Sequence, residues 1–262
     1  MIGQATAALA SVPKRWLRRA WGIPYVQKRQ DWHALWPHLR ELPVTPRRLL
    51  DAGCGEGIWT LELAARRPAW TVVGVDRGPV DAAERARLRL RLDNAAFVQS
   101  DFLAYEPNLR FDVVISVYSA HYLFEASLGD ELLRQVRRWL VPGGLLLLLG
   151  PRRERDVPFV PWLPRPALDY VLTAEDVARA CEAGGLVIET AHGAIGRLGV
   201  MAMQLACLGR GRSGERLVQL SSYPLRWALA AADARRQHES GATFAWLVAA
   251  RAPRADRDPA AA

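Results

Sequence analysis

The residues best suited to chemistry lie in one stretch, Leu49-Leu50-Asp51-Ala52-Gly53-Cys54-Gly55-Glu56-Gly57, followed by Ile58-Trp59-Thr60. Three glycines stand at alternate positions between an apolar run and a helix-like pattern that begins at Leu61. Glycines let the backbone turn sharply and approach a ligand with no Cβ in the way. A helix that follows offers unpaired N–H groups and the positive end of its dipole. Strand, glycine loop and helix together make a cofactor cradle, and the spacing narrows the cofactor. The dinucleotide fingerprint G-x-G-x-x-G places its third glycine one residue later than here, and position 58 is a bulky Ile. A phosphate loop needs G-K-[ST], and that triplet is absent.

A second chemical group stands at the right distance. Asp76 ends the β-branched run Thr71–Asp76, 19 residues beyond Gly57, where nucleotide-cradling βαβ units keep a ribose-binding carboxylate. Such a carboxylate accepts two hydrogen bonds from the ribose hydroxyls and excludes a 2′-phosphate. The pattern D-x-G-C-G-x-G at 51–57 resembles motif I of the class I S-adenosylmethionine-dependent methyltransferases, and companion motifs follow in order. Asp101-Phe102 is similar to the pair in which an Asp accepts from the adenine amino group while an apolar neighbour packs on the ring. Phe111 to Leu123, with Asp112 at its start, is similar to the strand and post-strand segment that walls the methyl site. Leu140-Val141-Pro142-Gly143-Gly144 resembles the turn before the fifth strand.

The resemblance covers residues 46–192 and implies a three-layer α/β, Rossmann-like methyltransferase fold. Its seven-stranded sheet has the order 3-2-1-4-5-7-6 with strand 7 antiparallel. S-adenosyl-L-methionine is implied over the carboxyl ends of strands 1, 2 and 4, where open α/β sheets bind ligands. The cofactor-binding residues so implied are Asp51, Gly53, Gly55, Gly57, Asp76, Arg77, Asp101, Phe102 and Ser116. No metal is expected, because the histidines at 33, 38, 192 and 238 and the three cysteines have no ligand spacing.

The elements that must position these groups follow from periodicity. Strands are expected at Arg48–Ala52, Thr71–Asp76, Ala96–Ser100, Phe111–Val117, Leu145–Leu149, Leu186–Thr190 and Thr243–Arg251. Helices are expected at Trp59–Arg66, Val80–Leu92 (Leu88 and Leu92 inward, Arg on the wet face), Leu128–Leu140 and Ala174–Ala183. Thr173-x-x-Asp176 reads as a capping box for the last of these. Residues 1–45, with Trp16, Trp21, Tyr25, Trp32 and Trp36 among basic residues, read as a helical arm or lid broken at Pro13, Pro24 and Pro37. Its aromatics either pack on the sheet edge or, as Tyr25 or Trp32, touch the ligand. Residues 46–252 form the methyltransferase domain, and 253–262 read as a disordered tail. The stretch 151–172 holds five prolines and is too long for a mere connection. Residues 193–242 exceed the minimal fold and read as an inserted helical hairpin: core extension, oligomer contact, or an interfacial membrane helix with Arg210, Arg212, Arg216 and Arg226 toward headgroups.

Composition bounds the rest. A chain of 262 residues, 50% hydrophobic, can bury one large α/β core. The three cysteines form no disulfide framework, which suits a reducing compartment; Cys54 lies inside the glycine loop, and Cys181 and Cys207 read as small buried hydrophobes. Net charge is +8, and residues 1–50 hold nine Lys or Arg against two acids. This is either a solvated face or an attraction for nucleic acid, anionic lipid or a phosphorylated substrate. No secretory pattern and no spanning apolar run stand out, so the expectation is cytoplasmic, with peripheral membrane contact through 194–240 as an option.

The resemblance implies in-line methyl transfer from a sulfonium. Much of that catalysis is proximity and orientation, and a base is needed only when the acceptor holds its proton. His121, with Tyr118 beside it, is the candidate base; the other reading of His121 is a hydrogen-bonded wall residue. The Asn/Asp-Pro-Pro-Tyr/Phe signature of amino-methylating nucleic-acid enzymes is absent, the same place reading Ser116-Val117-Tyr118-Ser119. A Pro-Cys nucleophile and an acidic double-Glu loop are absent too. The main expectation is a small-molecule, lipid or glycan acceptor, with no DNA partner. RNA or protein methylation and a noncatalytic cofactor-binding partner subunit stay open.

Overall fold

The computed structural model describes residues 26–152, 157–164, 172–208, 215–234 and 243–254. Helix α1 (Val26–Arg40) leads into β1 (Arg48–Ala52), α2 (Ile58–Arg66), β2 (Thr71–Asp76), α3 (Asp81–Leu90), β3 (Ala95–Gln99) and β4 (Phe111–Val117). Next come α4 (Ala120–Glu125), α5 (Gly129–Trp139), β5 (Leu140–Pro151), α6 (Ala174–Ala183) and β6 (Val187–Ala194). Helices α7 (Arg197–Ala206) and α8 (Glu215–Ala234) precede the last strand, β7 (Ala245–Arg251).

One seven-stranded sheet runs β3-β2-β1-β4-β5-β7-β6, with β7 antiparallel to both neighbours and the other pairs parallel. Its order is the one expected from the motifs. The central strands are apolar on both faces because helices cover both: Val113, Val114 and Ile115 of β4 are fully buried. One face carries Trp32, Leu35 and Leu39 of α1 with Trp59 and Leu63 of α2. On the other, Leu132, Leu133, Val136 and Trp139 of α5 repeat at helical spacing, joined by Val177 and Cys181 of α6. At the foot of the sheet, Asp112 accepts from the Arg47 guanidinium (3.1 Å) and the Arg48 N–H (2.9 Å), pinning the start of β4 to that of β1.

Several elements depart from expectation. Pro37 lies inside α1, in its last turn, so it removes one ladder bond without ending the helix. Pro13, Trp16, Trp21, Pro24 and Tyr25 lie outside the described residues. Leu88 of α3 is exposed, since Ala83 is the buried residue of that short helix. The Val141–Gly144 turn is a bulge inside β5: Phe111 pairs with Leu140 and Val113 with Leu145. The Gly143 N–H bonds to the Ala252 carbonyl and the Arg251 guanidinium to the Gly143 carbonyl, so β7 stitches the bulge in place. Strand β6 continues to Ala194 because β7 pairs with it along its length.

The hairpin between β6 and β7 is present as α7 and α8, which pack on each other and on α1. Arg226 is buried within that packing, not turned toward headgroups; the side chains of Arg210, Arg212 and Arg216 lie outside the described residues. Among the described residues no helix is long and apolar enough to cross a membrane. The capping box is formed: the Thr173 N–H donates to Asp176 Oδ2 (3.0 Å) and the Asp176 N–H to Thr173 Oγ1 (3.2 Å). Cys54 and Cys181 are buried, whereas Cys207 is half-buried.

Candidate active site at the carboxyl ends of β1, β2 and β4

Each turn that leaves a parallel strand opens at the same edge, so the loops after β1, β2, β3 and β4 meet there. Gly53 has φ +81°, and its N–H bonds to the Val75 carbonyl at 2.7 Å. A Cβ at Gly53 would overlap Ser119 and lie 2.6 Å from the Phe102 ring, so the close approach itself demands glycine. Gly55 differs: at φ +51° its Cβ would meet nothing within 4 Å and would project into open space. Gly57 packs against Phe97 and Ala83. The Asp76 carboxylate accepts from the Gly55 N–H through Oδ2 and from the Gly78 N–H through Oδ1, both at 2.8 Å. These two bonds aim it along the glycine loop.

The cavity at this edge, about 180 Å³, is lined by Gly53, Asp76, Arg77, Asp101, Phe102, Ser119, Tyr122 and Leu123. Five of these come from the sequence-predicted set. Asp101 is braced by the Leu103 N–H on Oδ1 (2.9 Å), with Phe102 beside it. Ser119, Tyr122 and Leu123 were not singled out. They fall within the post-strand segment, but which of its side chains face the cavity depends on the turn into α4. That turn begins at Tyr118, a non-glycine residue at φ +55°. It is fastened by the Ser119 hydroxyl, which donates to the Gly53 carbonyl at 3.0 Å.

Two predicted residues support the loop from beneath. Asp51 is 1% exposed and accepts from the Thr60 hydroxyl at 2.6 Å, tying the end of β1 to α2; burial raises its carboxyl to about 6. Ser116 is also buried, and its Oγ accepts the Ala120 N–H (3.1 Å), holding the start of α4.

His121 is 1% exposed, its ring 3.9 Å from that of Tyr122. Burial lowers its imidazole to about 4, so it is neutral at pH 7. Tyr118 points the other way across the sheet, its hydroxyl donating to Asp31 Oδ1 of α1 at 2.8 Å and its ring 6.4 Å from that of Phe244. Asp31 is fully buried, its Oδ2 has no hydrogen-bond partner among the described residues, and burial pushes its carboxyl to about 7. Lys28 and the Tyr118 bond pull the other way. Sequence reasoning passed over Asp31; the one signal was its being one of two acids in a strongly basic arm. Trp32, the arm's candidate ligand contact, is buried between Trp36 and Trp59 in two stacked pairs.

Among the described residues no group of His, Cys, Asp and Glu could hold a metal ion. His38 and His192 sit near each other at the β6 side, where burial and His192 lower the His38 imidazole; His238 lies outside the described residues.

The sequence from 49 to 144, which contains every residue of this cavity, matches the family described as a methyltransferase domain. Residues 49–144 are a class I methyltransferase domain. The cofactor of such a domain is S-adenosyl-L-methionine, and the residues present fit it. Open space beyond Gly55, a braced carboxylate at Asp76 and the Asp101-Phe102 pair give room and partners for a ribose and an adenine.

Two relatives show how widely the domain is used. The chain is 30% identical over 134 residues to release factor glutamine methyltransferase of Escherichia coli (strain K12), covering 42% of this chain and 48% of that one. It is 34% identical over 106 residues to trans-aconitate 2-methyltransferase of Methylobacterium nodulans, covering 40% and 39%. The chain thus spans about half, or less, of the length of these relatives. Among solved structures it is similar to the [4+2]-cyclase SpnF (23% identity, TM-score 0.58, 86% of this chain and 82% of that one). It is also similar to the N-methyltransferase NodS from Bradyrhizobium japonicum WM9 in complex with S-adenosyl-L-homocysteine (17% identity, TM-score 0.52, 87% of each chain). These are likenesses of fold, and a cyclase among them shows one methyltransferase-like scaffold serving different chemistry.

Proposed function

We propose that the chain transfers the methyl group of S-adenosylmethionine to an O, N or C nucleophile of a small-molecule, lipid or glycan acceptor. The observation that carries this is the single cavity edge on which Gly53, Asp76, Asp101, Phe102 and Ser119 converge. Asp76 would accept from the two ribose hydroxyls, keeping the loop bonds that already aim it. Asp101 would accept from the adenine amino group while Phe102 packs on the ring. Gly53 and Gly55 would let the amino-acid end lie against bare backbone. The bound cofactor supplies an electrophilic methyl whose carbon–sulfur bond breaks with the electron pair staying on sulfur. What the chain supplies is chiefly orientation. Tyr118, the other candidate beside Ser119, keeps its hydroxyl on Asp31 of α1 and does not line the cavity. His121, buried and neutral, serves as wall.

One observation favours a second reading, a protein acceptor: the match to a relative named for methylating release factor glutamine. A labelling experiment separates the two. Incubation with S-[methyl-³H]adenosylmethionine and a cell extract is expected to put the label in the solvent-extractable, low-mass fraction. Label in acid-precipitable protein would replace the main reading with the second. Label in nuclease-sensitive material would point to RNA. Calorimetry tests the site directly: S-adenosylhomocysteine should bind in the low-micromolar range, about −8 kcal/mol, with NAD failing to compete. Asp76→Ala should weaken that binding by about 2–3 kcal/mol for two lost charge-assisted bonds. Unchanged affinity would remove the ribose assignment.

A further inference from the structure

An open sheet ends in two edge strands, each turning a row of N–H and C=O groups away from its one neighbour. Here the edges are β6 and β3. Strand β6 carries the devices that keep an edge from pairing with another chain. Glu189 and His192 stand exposed on it, and its register shifts between Ile188 and Thr190. Strand β3, Ala95-Ala96-Phe97-Val98-Gln99, has none of these. It holds no charge and no proline, and its register with β2 runs unbroken from Ala95 to Gln99.

The ladder shows which backbone groups are free. The Ser100 N–H bonds to the Asp76 carbonyl and the Val72 N–H to the Asn94 carbonyl, so the even-numbered residues of this stretch face β2. Alternation turns the groups of Ala95, Phe97 and Gln99 outward. The Leu92 carbonyl takes the Ala95 N–H, and no other described residue bonds to these outward backbone groups. The side chains alternate too. Phe97 packs with Ala83 of α3 against Gly57, which leaves Ala96 and Val98 on the opposite face. The connection from β3 to β4 contains no helix to cover them, and both are exposed. Helix α3, packed on the strand, exposes Leu88 and Leu90 as well.

One antiparallel register of this strand with itself sets free groups opposite free groups. Centred on Phe97, it lets that residue exchange both bonds with Phe97 of a second copy. Each Gln99 N–H then reaches the Ala95 carbonyl of the other copy. Ala96 and Val98 oppose Val98 and Ala96 in the non-hydrogen-bonded positions, where side chains approach most closely. The ends suit this pairing. Arg91 and Asp93 stand exposed at the start of the strand, and Arg77 and Asp101 at its end. Antiparallel pairing brings the start of one copy to the end of the other. Cations and anions thus meet in equal number there, although the chain carries +8 overall. We propose that β3 joins β3 of a second copy in this register, making one continuous sheet across a two-fold axis at Phe97. Such an interface is self-complementary, as a closed dimer requires. The two cavities lined by Asp76 and Asp101 then open at opposite ends of the joined sheet.

The test is sedimentation equilibrium of the full chain, with the mass of one copy, 29.1 kDa, as reference. Wild type is expected to reach twice that mass at a concentration of about 100 µM and to dissociate on dilution. Val98→Lys puts a charge on the exposed face of the edge and should weaken the dimer about tenfold or more. Gln99→Pro removes an outward N–H that the single chain does not use, so the fold should survive while the dimer is lost. Val187→Lys, the matching change on the exposed face of β6, should leave the dimer intact. Circular dichroism of each variant confirms that the sheet is formed. A wild-type chain that stays at the mass of one copy throughout would overturn the proposal, and that result needs no variant to fold. So would a dimer that both β3 variants leave untouched, or one that Val187→Lys breaks. The readout is mass and needs no ligand, so this proposal and the cofactor reading stand or fall separately.

Discussion

At the scale of single residues, neighbouring glycines in one motif do different work. Gly53 and Gly55 both take positive φ, where an L side chain costs about 1–2 kcal/mol. Their surroundings diverge. A methyl at Gly53 runs into Ser119 and the Phe102 ring, whereas a methyl at Gly55 enters open space. Gly53→Ala should therefore destabilise the empty protein by the strain plus about 1–3 kcal/mol of overpacking. Gly55→Ala should cost only the strain, yet lose most affinity for S-adenosylhomocysteine, because the added carbon occupies ligand space. Denaturant unfolding paired with calorimetry reads both quantities. Equal stability losses with binding intact in Gly55→Ala would show that the open space is not ligand space. The sequence announces such glycines as a motif without saying which is steric and which is functional; that depends on Ser119, 66 residues away.

Elements were legible wherever local pattern and burial agree. The strands from Arg48, Thr71 and Phe111 fall within the lengths their apolar runs dictate, and the capping box at Thr173 sets the start of α6. What was not legible is what distant pairing decides. Strand β6 continues to Ala194 because β7 lies beside it, and β5 swallows its Pro-Gly-Gly turn as a bulge because Ala252 and Arg251 hold it. The same holds for the proline-rich stretch. Gln204 of α7, with no exposed surface, binds it on both sides: its Oε1 accepts the Val160 N–H at 2.8 Å, and its Nε2 donates to the Val160 carbonyl at 3.1 Å. Longer bonds from Nε2 reach the Leu163 and Pro164 carbonyls, both at 3.3 Å. A glutamine in Met-Gln-Leu gives no hint of this role. Gln204→Ala would strand a buried N–H and carbonyl and should cost about 2–4 kcal/mol. It should also open 157–164 to limited proteolysis before the rest of the chain. Nicking no faster than wild type would mean that the prolines alone hold the stretch.

For the molecule as a whole, the described helices beyond the minimal fold form one layer rather than separate appendages. Helix α1 lies on the sheet face with α2 and is packed in turn by α7 and α8, while Tyr118 joins it to the cofactor edge. The insertion read as a membrane candidate is thus engaged with the domain, its Arg226 buried. A layer so connected should unfold together with the sheet. Several of the ten tryptophans report on it, since Trp32 and Trp36 of α1 share one core cluster with Trp59 and Trp70. Heating followed by tryptophan fluorescence and by far-ultraviolet circular dichroism should therefore give coincident transitions. S-adenosylhomocysteine at a hundred times its dissociation constant stabilises the folded state by about 2.7 kcal/mol. For a chain of this size that is a rise in Tm of about 5–10 °C, seen equally by both signals. NAD at the same concentration should leave Tm where it was, because the third glycine comes too early for a dinucleotide. A fluorescence transition that precedes the loss of helix and sheet, and ignores the ligand, would mean that the arm and insertion are only loosely seated. The Tyr118–Asp31 and Ser119–Gly53 bonds would then not couple α1 to the glycine loop.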